Sequence, residues 1–127
     1  MENNRNSPAK TTTPAPKIDL SYIQGLSCGD TEFEAKMIQI YLNQIPVNIA
    51  FLEDAIARLD YAEVKYMAHN LKSSMPISGL NSILPYLATL EDQALENKIA
   101  PSTTAQFESV KQTILQSCTT LQQYLDR

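Results

Sequence analysis

His69 is the only histidine of the chain, and it stands in the run Ala68-His69-Asn70-Leu71-Lys72-Ser73-Ser74, with Gly79 ten residues after it. A free imidazole titrates near pH ~6.5, so at cellular pH it is mostly neutral and nucleophilic. Lys65 and Lys72, at i−4 and i+3, share the helix face of His69. Ala62 and Ser73, at i−7 and i+4, are small and leave the ring approachable. An exposed nucleophile beside two cations suits capture of an anionic electrophile, whose oxygens an ammonium one turn away can neutralise. A metal centre is poorly supplied, because there is no second histidine and Cys28 and Cys118 lie far apart without ligand spacing. A hydrolase triad has no nucleophile elbow, and Ser74 is assigned to the core side of the helix, in a structural role.

The elements that must position this set are helical. Val64, Ala68, Leu71, Met75 and Ser78 repeat as 4-3-4-3 and define an inward stripe. His69 falls about 140° around the helix from Val64, off that stripe. Asp60 is predicted to cap this helix, Pro76 to loosen its last turn and Gly79 to serve the turn after it. Upstream, Asp19 caps a short helix with Leu20, Tyr22, Ile23 and Leu26 that ends between Gly25 and Gly29. Asp30 opens a long helix with Glu32 and Glu34 in its first turn. Its seam runs Ile38, Leu42, Ile45, Ile49, Leu52, Ile56, Leu59 without a phase shift, which predicts one helix bent at Pro46.

Downstream, a helix starting at Asn81 or Ser82 has the seam Leu80, Leu84, Leu87, Glu91, Ala94 and breaks between Asn97 and Pro101. Ser102 is predicted to cap the last helix, with Phe107, Val110, Ile114, Ser117, Leu121 and Tyr124 inward. Short connections between four long helices predict an all-α fold: an antiparallel up-down-up-down four-helix bundle with a short additional N-terminal helix. Glu91 is the anomaly, a carboxylate in an apolar seam that needs a partner. Either it is a bundle-edge acid that reaches water, or His69 on the adjacent helix is its partner: Glu91 would then accept Nδ1–H, fix the tautomer and leave Nε2 free.

The run around His69 resembles the signature of histidine-containing phosphotransfer (HPt) domains, written H-x-L-K-G-S with a glycine ten residues after the histidine. His69, Leu71, Lys72, Ser74 and Gly79 match in place, while Ser73 stands where the family has glycine. The helix pattern from Ile18 to the end also resembles that family's bundle. The resemblance implies a phosphorelay intermediate without kinase activity of its own. His69 Nε2 would be the phosphoacceptor, Lys72 would stabilise the phosphoryl group, and Glu91 would orient the ring. Lys65, Ser73, Ala62 and Pro76 are assigned to partner binding. The implied partners are receiver domains of response regulators or hybrid histidine kinases, which supply an aspartate and Mg²⁺; no resident cofactor or metal is expected. The competing readings are a helical adaptor that binds receivers without being phosphorylated, and the substrate domain of a chemotaxis-type kinase. Retention of both His69 and Lys72 speaks against the adaptor, and the second would require a kinase domain downstream.

Composition bounds the rest. The 127 residues support one domain with one core. A net charge of −4 argues against nucleic acid as a principal partner. No apolar run reaches bilayer length and the N-terminus is polar, so no membrane span, no signal peptide and a cytoplasmic monomer are expected. Residues 1–17 hold three prolines and four hydroxyl residues with almost nothing apolar, which predicts a flexible tail or linker before an 18–127 bundle. Both cysteines are expected as buried small residues without a disulfide.

Overall fold

A computed structural model describes residues 18–127, so the tail assigned to residues 1–17 lies outside the described residues. Those residues form α-helices without any strand. In order they are α1 (Ser21–Ser27), α2 (Thr31–Arg58), α3 (Tyr61–Ser78), α4 (Leu84–Leu95) and α5 (Pro101–Asp126), with a 3₁₀ turn at Asn81–Ile83 leading into α4. None of these helices is long and apolar enough to cross a membrane.

Local chemistry sets the ends. Asp19 Oδ1 accepts from Ser21 N–H at 2.9 Å at the start of α1. Asp30 Oδ1 accepts from Phe33 N–H at 3.0 Å, and Asp60 Oδ1 from Glu63 N–H at 3.2 Å, capping α2 and α3 as their positions predict. Between those two helices Leu59 takes a left-handed φ of 58°, and Asp60 N–H returns to the Ala55 carbonyl. That turn pulls Leu59 out of the expected seam, leaving it 59% exposed. Pro46 stays inside a continuous α2. At the far end Ala100, not Ser102, is the N-cap of α5, because Pro101 at the first helical position needs no N–H partner and presets φ. Gln93 Oε1 accepts the Ala100 N–H at 2.9 Å.

The core gathers where the stripes meet. Val64, Ala68, Leu71, Met75 and Ser78 of α3 are all fully buried. From α2 come Ile38, Ile45, Ile49, Leu52 and Ile56, joined by Tyr41 and Ala55, while the expected Leu42 is only half-buried. α3 packs against both α2 and α4, α5 packs against α2, and α1 rests on α2 and α3. One polar knot lies inside. The Tyr41 hydroxyl donates to Ser78 Oγ at 3.0 Å and sits 2.8 Å from Ser117 Oγ, joining α2, α3 and α5. Cys118 is half-buried, and burial pushes its thiol up to about 11. Cys28 departs from expectation: it is exposed, because it caps α1 with a left-handed φ of 49°.

The seam of α4 shows an instructive shift. Ile83, Leu87, Leu90 and Ala94 are buried, whereas Leu84 is half-buried. A 3₁₀ turn advances about 120° per residue against 100° in an α-helix, so three residues displace the phase by about 60°. Leu90 therefore takes the interior place that a continuous α-pattern gives to Glu91, and Glu91 moves to the seam's edge with 18% of its side chain exposed.

Gly79 ends α3 with φ 73°, and its α-carbon lies against Asp19. A β-carbon there would stand 2.6 Å from Asp19 Cβ and closer still to the Asp19 carbonyl oxygen. Gly79→Ala is expected to lower stability by about 2 kcal/mol or more, combining the left-handed penalty with displacement of the chain entering α1. Gly25, inside α1 with open space around it, gives the contrast: Gly25→Ala should be neutral or stabilising by up to about 1 kcal/mol. Chemical denaturation of both variants measures the difference.

Candidate functional site

The inward stripe of α3 fixes the rotation of that helix, and with it the direction of every outward side chain. Leu71 and Met75, fully buried, anchor the turn that carries the site. His69 is thereby left 59% exposed, on the flank of α3 that meets α4. Its Nδ1 lies 3.0 Å from Glu91 Oε2. An ionised carboxylate can only accept, so this contact favours the proton on Nδ1, and in the neutral ring that leaves the lone pair on Nε2. No hydrogen bond within the described residues occupies Nε2.

Lys72 is brought to the same carboxylate. Its Nζ donates to Glu91 Oε1 at 2.7 Å, and its side chain is 35% exposed. The ammonium expected to face an incoming phosphoryl group is thus held beside it, by the residue that also holds the imidazole. Glu91 is pulled below its ordinary value of 4.5, first by the Lys72 hydrogen bond and further by His69, against the opposing cost of burial. Two oxygens, two partners and one buried edge fix the geometry of the cluster.

The remaining assigned residues fall around it. Ala62 and Lys65 are exposed and, with Tyr66, His69 and Glu91, line a shallow depression of about 410 Å³. Lys65 makes no ion pair among the described residues. Ser73 is exposed, but its Oγ donates to the His69 carbonyl at 3.1 Å, so the hydroxyl is turned onto its own helix. Pro76 is half-buried one turn beyond Lys72. Ser74 donates to the Asn70 carbonyl at 3.1 Å, the backbone role expected of it. It does not face the core, however. It is half-buried and lines a second groove of about 490 Å³ with Asn43, Gln44, Asn48, Asn70 and Ser73.

Sequence reasoning passed over Tyr66. It is 62% exposed and stands at i−3 from His69, a spacing that already places it on the same face. Among the described residues no group of three histidine, cysteine or acidic side chains could hold a metal ion. Comparison of the chain with family models, with curated proteins and with solved structures gives no match in any of the three.

The cluster makes a measurable statement about tautomers. With Glu91 in place, nitrogen-resolved NMR of the single histidine should show neutral His69 mainly as the Nδ1–H form. Glu91→Ala should populate both tautomers more evenly, and Glu91→Gln should retain most of the bias, since its amide oxygen still accepts. A matching ratio in wild type and Glu91→Ala would reduce Glu91 to a bundle-edge residue. The pH dependence follows with its sign. Because Glu91 titrates lower folded than unfolded, its contribution is full above its ordinary value of 4.5 and is lost as pH falls through the lower folded value. The stability of Glu91→Gln should therefore fall less steeply than wild type across that acid window.

Proposed function

We propose that this chain is a histidine phosphotransfer protein of a two-component phosphorelay. It accepts a phosphoryl group on His69 from the aspartate of one receiver domain and passes it to another. The fold that goes with this reading is an antiparallel up-down-up-down bundle of α2 to α5, with α1 as the short extra helix. The cytoplasm is the setting it implies. The observation that supports it best is the exposed His69, with Nδ1 on the Glu91 carboxylate and Nε2 without a hydrogen bond among the described residues.

The chemistry balances on these groups. The Nε2 lone pair attacks phosphorus in line, an N–P bond forms, and the P–O bond to the aspartate breaks with its electron pair leaving on the carboxylate. While Nδ1 keeps its proton the ring gains positive charge, and Glu91 is the anion placed to stabilise that charge. Lys72 then has two uses. Paired with Glu91 it keeps the carboxylate ionised, and by rotating its side chain it can meet a phosphoryl oxygen. The Mg²⁺ of the reaction belongs to the receiver, and no kinase activity is assigned to this chain. Lys65, Ala62, Ser73, Tyr66 and Pro76 make the surface on which the receiver settles.

The test is incubation with a phosphorylated receiver domain. Acid-labile, base-stable label should appear on the wild-type chain. His69→Gln should fold normally, because the position is exposed, yet take up no label; label on that variant would sink the assignment. Lys72→Ala should slow transfer in both directions by about tenfold, a reduction of about 1.4 kcal/mol in transition-state stabilisation. Receiver binding without any label on the wild type would make the chain a non-phosphorylated adaptor instead.

A further inference from the structure

The outer side of α2 carries an uncovered stripe. Phe33, Ile40, Val47 and Phe51 are 40%, 51%, 51% and 55% exposed. Their spacings of seven, seven and four residues align them on one side of the helix, away from the inward Ile38, Ile45, Ile49 and Leu52. At about 1.5 Å per residue the stripe runs about 27 Å. Toward its C-terminal end Pro46, Val47, Ala50, Phe51 and Asp54 line a shallow, mostly apolar depression of about 500 Å³. Charges flank the stripe in a definite order. Glu32 and Lys36 stand near its N-terminal end, and Asp54 and Arg58 near its C-terminal end, all exposed. Asp54 and Arg58 already pair with each other at 2.7 Å, while Glu32 and Lys36 make no ion pair among the described residues.

We propose that this face pairs with α2 of a second copy of the chain, antiparallel about a two-fold axis beside Ile45 and Pro46. That axis sets Ile40 against the partner's Phe51 and Gln44 against the partner's Val47. The same register brings Lys36 over the partner's Asp54 and Glu32 over the partner's Arg58. Lys36 and Asp54 lie on the same flank of the stripe, so the two-fold unites them. Symmetry makes every contact twice. A parallel pairing would set Lys36 beside Lys36 and Asp54 beside Asp54, so the charge order selects the antiparallel one. One helix face per copy is a small interface, which makes the dimer concentration-dependent rather than obligate. This sets aside the monomer expected from sequence, and it does not rest on the phosphotransfer reading.

Sedimentation equilibrium of the full chain between about 10 µM and about 1 mM, at low salt, tests it. The apparent mass should climb from 14.2 kDa toward twice that value. Phe51→Ser should weaken association at least about tenfold through lost apolar contact. Lys36→Asp should weaken it by about tenfold, because like charges then meet at both ends. Combining Lys36→Asp with Asp54→Lys should restore most of the loss. Circular dichroism melts establish that these exposed substitutions leave the fold intact. A wild type that keeps the mass of one chain throughout overturns the proposal. So does a dimer that Phe51→Ser and Lys36→Asp leave unchanged, or a double exchange that restores nothing. A solitary wild type in which Phe51→Ser slows label uptake from a receiver would give this face to the receiver and overturn self-pairing.

Discussion

The Glu91 carboxylate is the point on which the site depends. It sits where α4 leaves the core, shielded enough that an unpartnered charge would be costly. Both oxygens are used, one by Lys72 at 2.7 Å and one by His69 at 3.0 Å. Those bonds cross from α4 to α3, so the orientation of the imidazole is set by packing between two helices rather than by its own helix alone. Without Leu87, Leu90 and Ala94 buried beneath it, Glu91 would be a mobile surface acid and the ring would choose its own tautomer.

The inner face of α3 was legible in the sequence because one uninterrupted α-helix preserves the phase of its repeat from Val64 to Ser78. His69, lying off that stripe, was legible for the same reason. Pro46 was readable too, since the seam on either side of it kept step. Reading failed at single positions on a stripe's edge, such as Leu42 and Ser74, and where backbone geometry changed between elements. The 3₁₀ turn at Asn81–Ile83 rotated α4, so Leu90 replaced Glu91 inside and the acid came to the edge. The left-handed residues Leu59 and Cys28 were placed inside because both look apolar, yet each ends a helix in a conformation that turns it outward. The Lys72–Glu91 pair was missed because residues on two helices were each assigned one partner, and a carboxylate has two oxygens.

The buried knot of Tyr41, Ser78 and Ser117 constrains the same helices from the opposite side. Apolar stripes tolerate sliding by a fraction of a turn, since one Leu or Ile contact resembles the next. Three hydroxyls within hydrogen-bonding distance do not, because each loses its partner if its helix shifts. Ser78 belongs to the last turn of α3, directly before the Gly79 contact with Asp19. The register of α3 is therefore pinned at its C-terminal end, while the turn bearing His69 meets α4 nearer its middle.

The half of α3 that follows His69 carries the residues that touch its hydrogen-bond ladder. Ser73 and Ser74 donate back to the carbonyls of His69 and Asn70, sharing acceptors that the helix already uses. Pro76 has no N–H for the Lys72 carbonyl one turn before it. Ser73, Ser74 and Pro76 thus modify the ladder between His69 and Pro76, while Leu71 and Met75 hold the inward side in the core. A glycine in place of Ser73 would open more space beside His69 but cost helix stability, by about 1 kcal/mol relative to alanine. Serine keeps the turn helical, and its hydroxyl is satisfied on the His69 carbonyl rather than offered to solvent. Compared with a glycine, Ser73 thus narrows the surface beside the imidazole by one hydroxymethyl group while leaving the Nδ1–Glu91 contact, on the α4 flank, untouched.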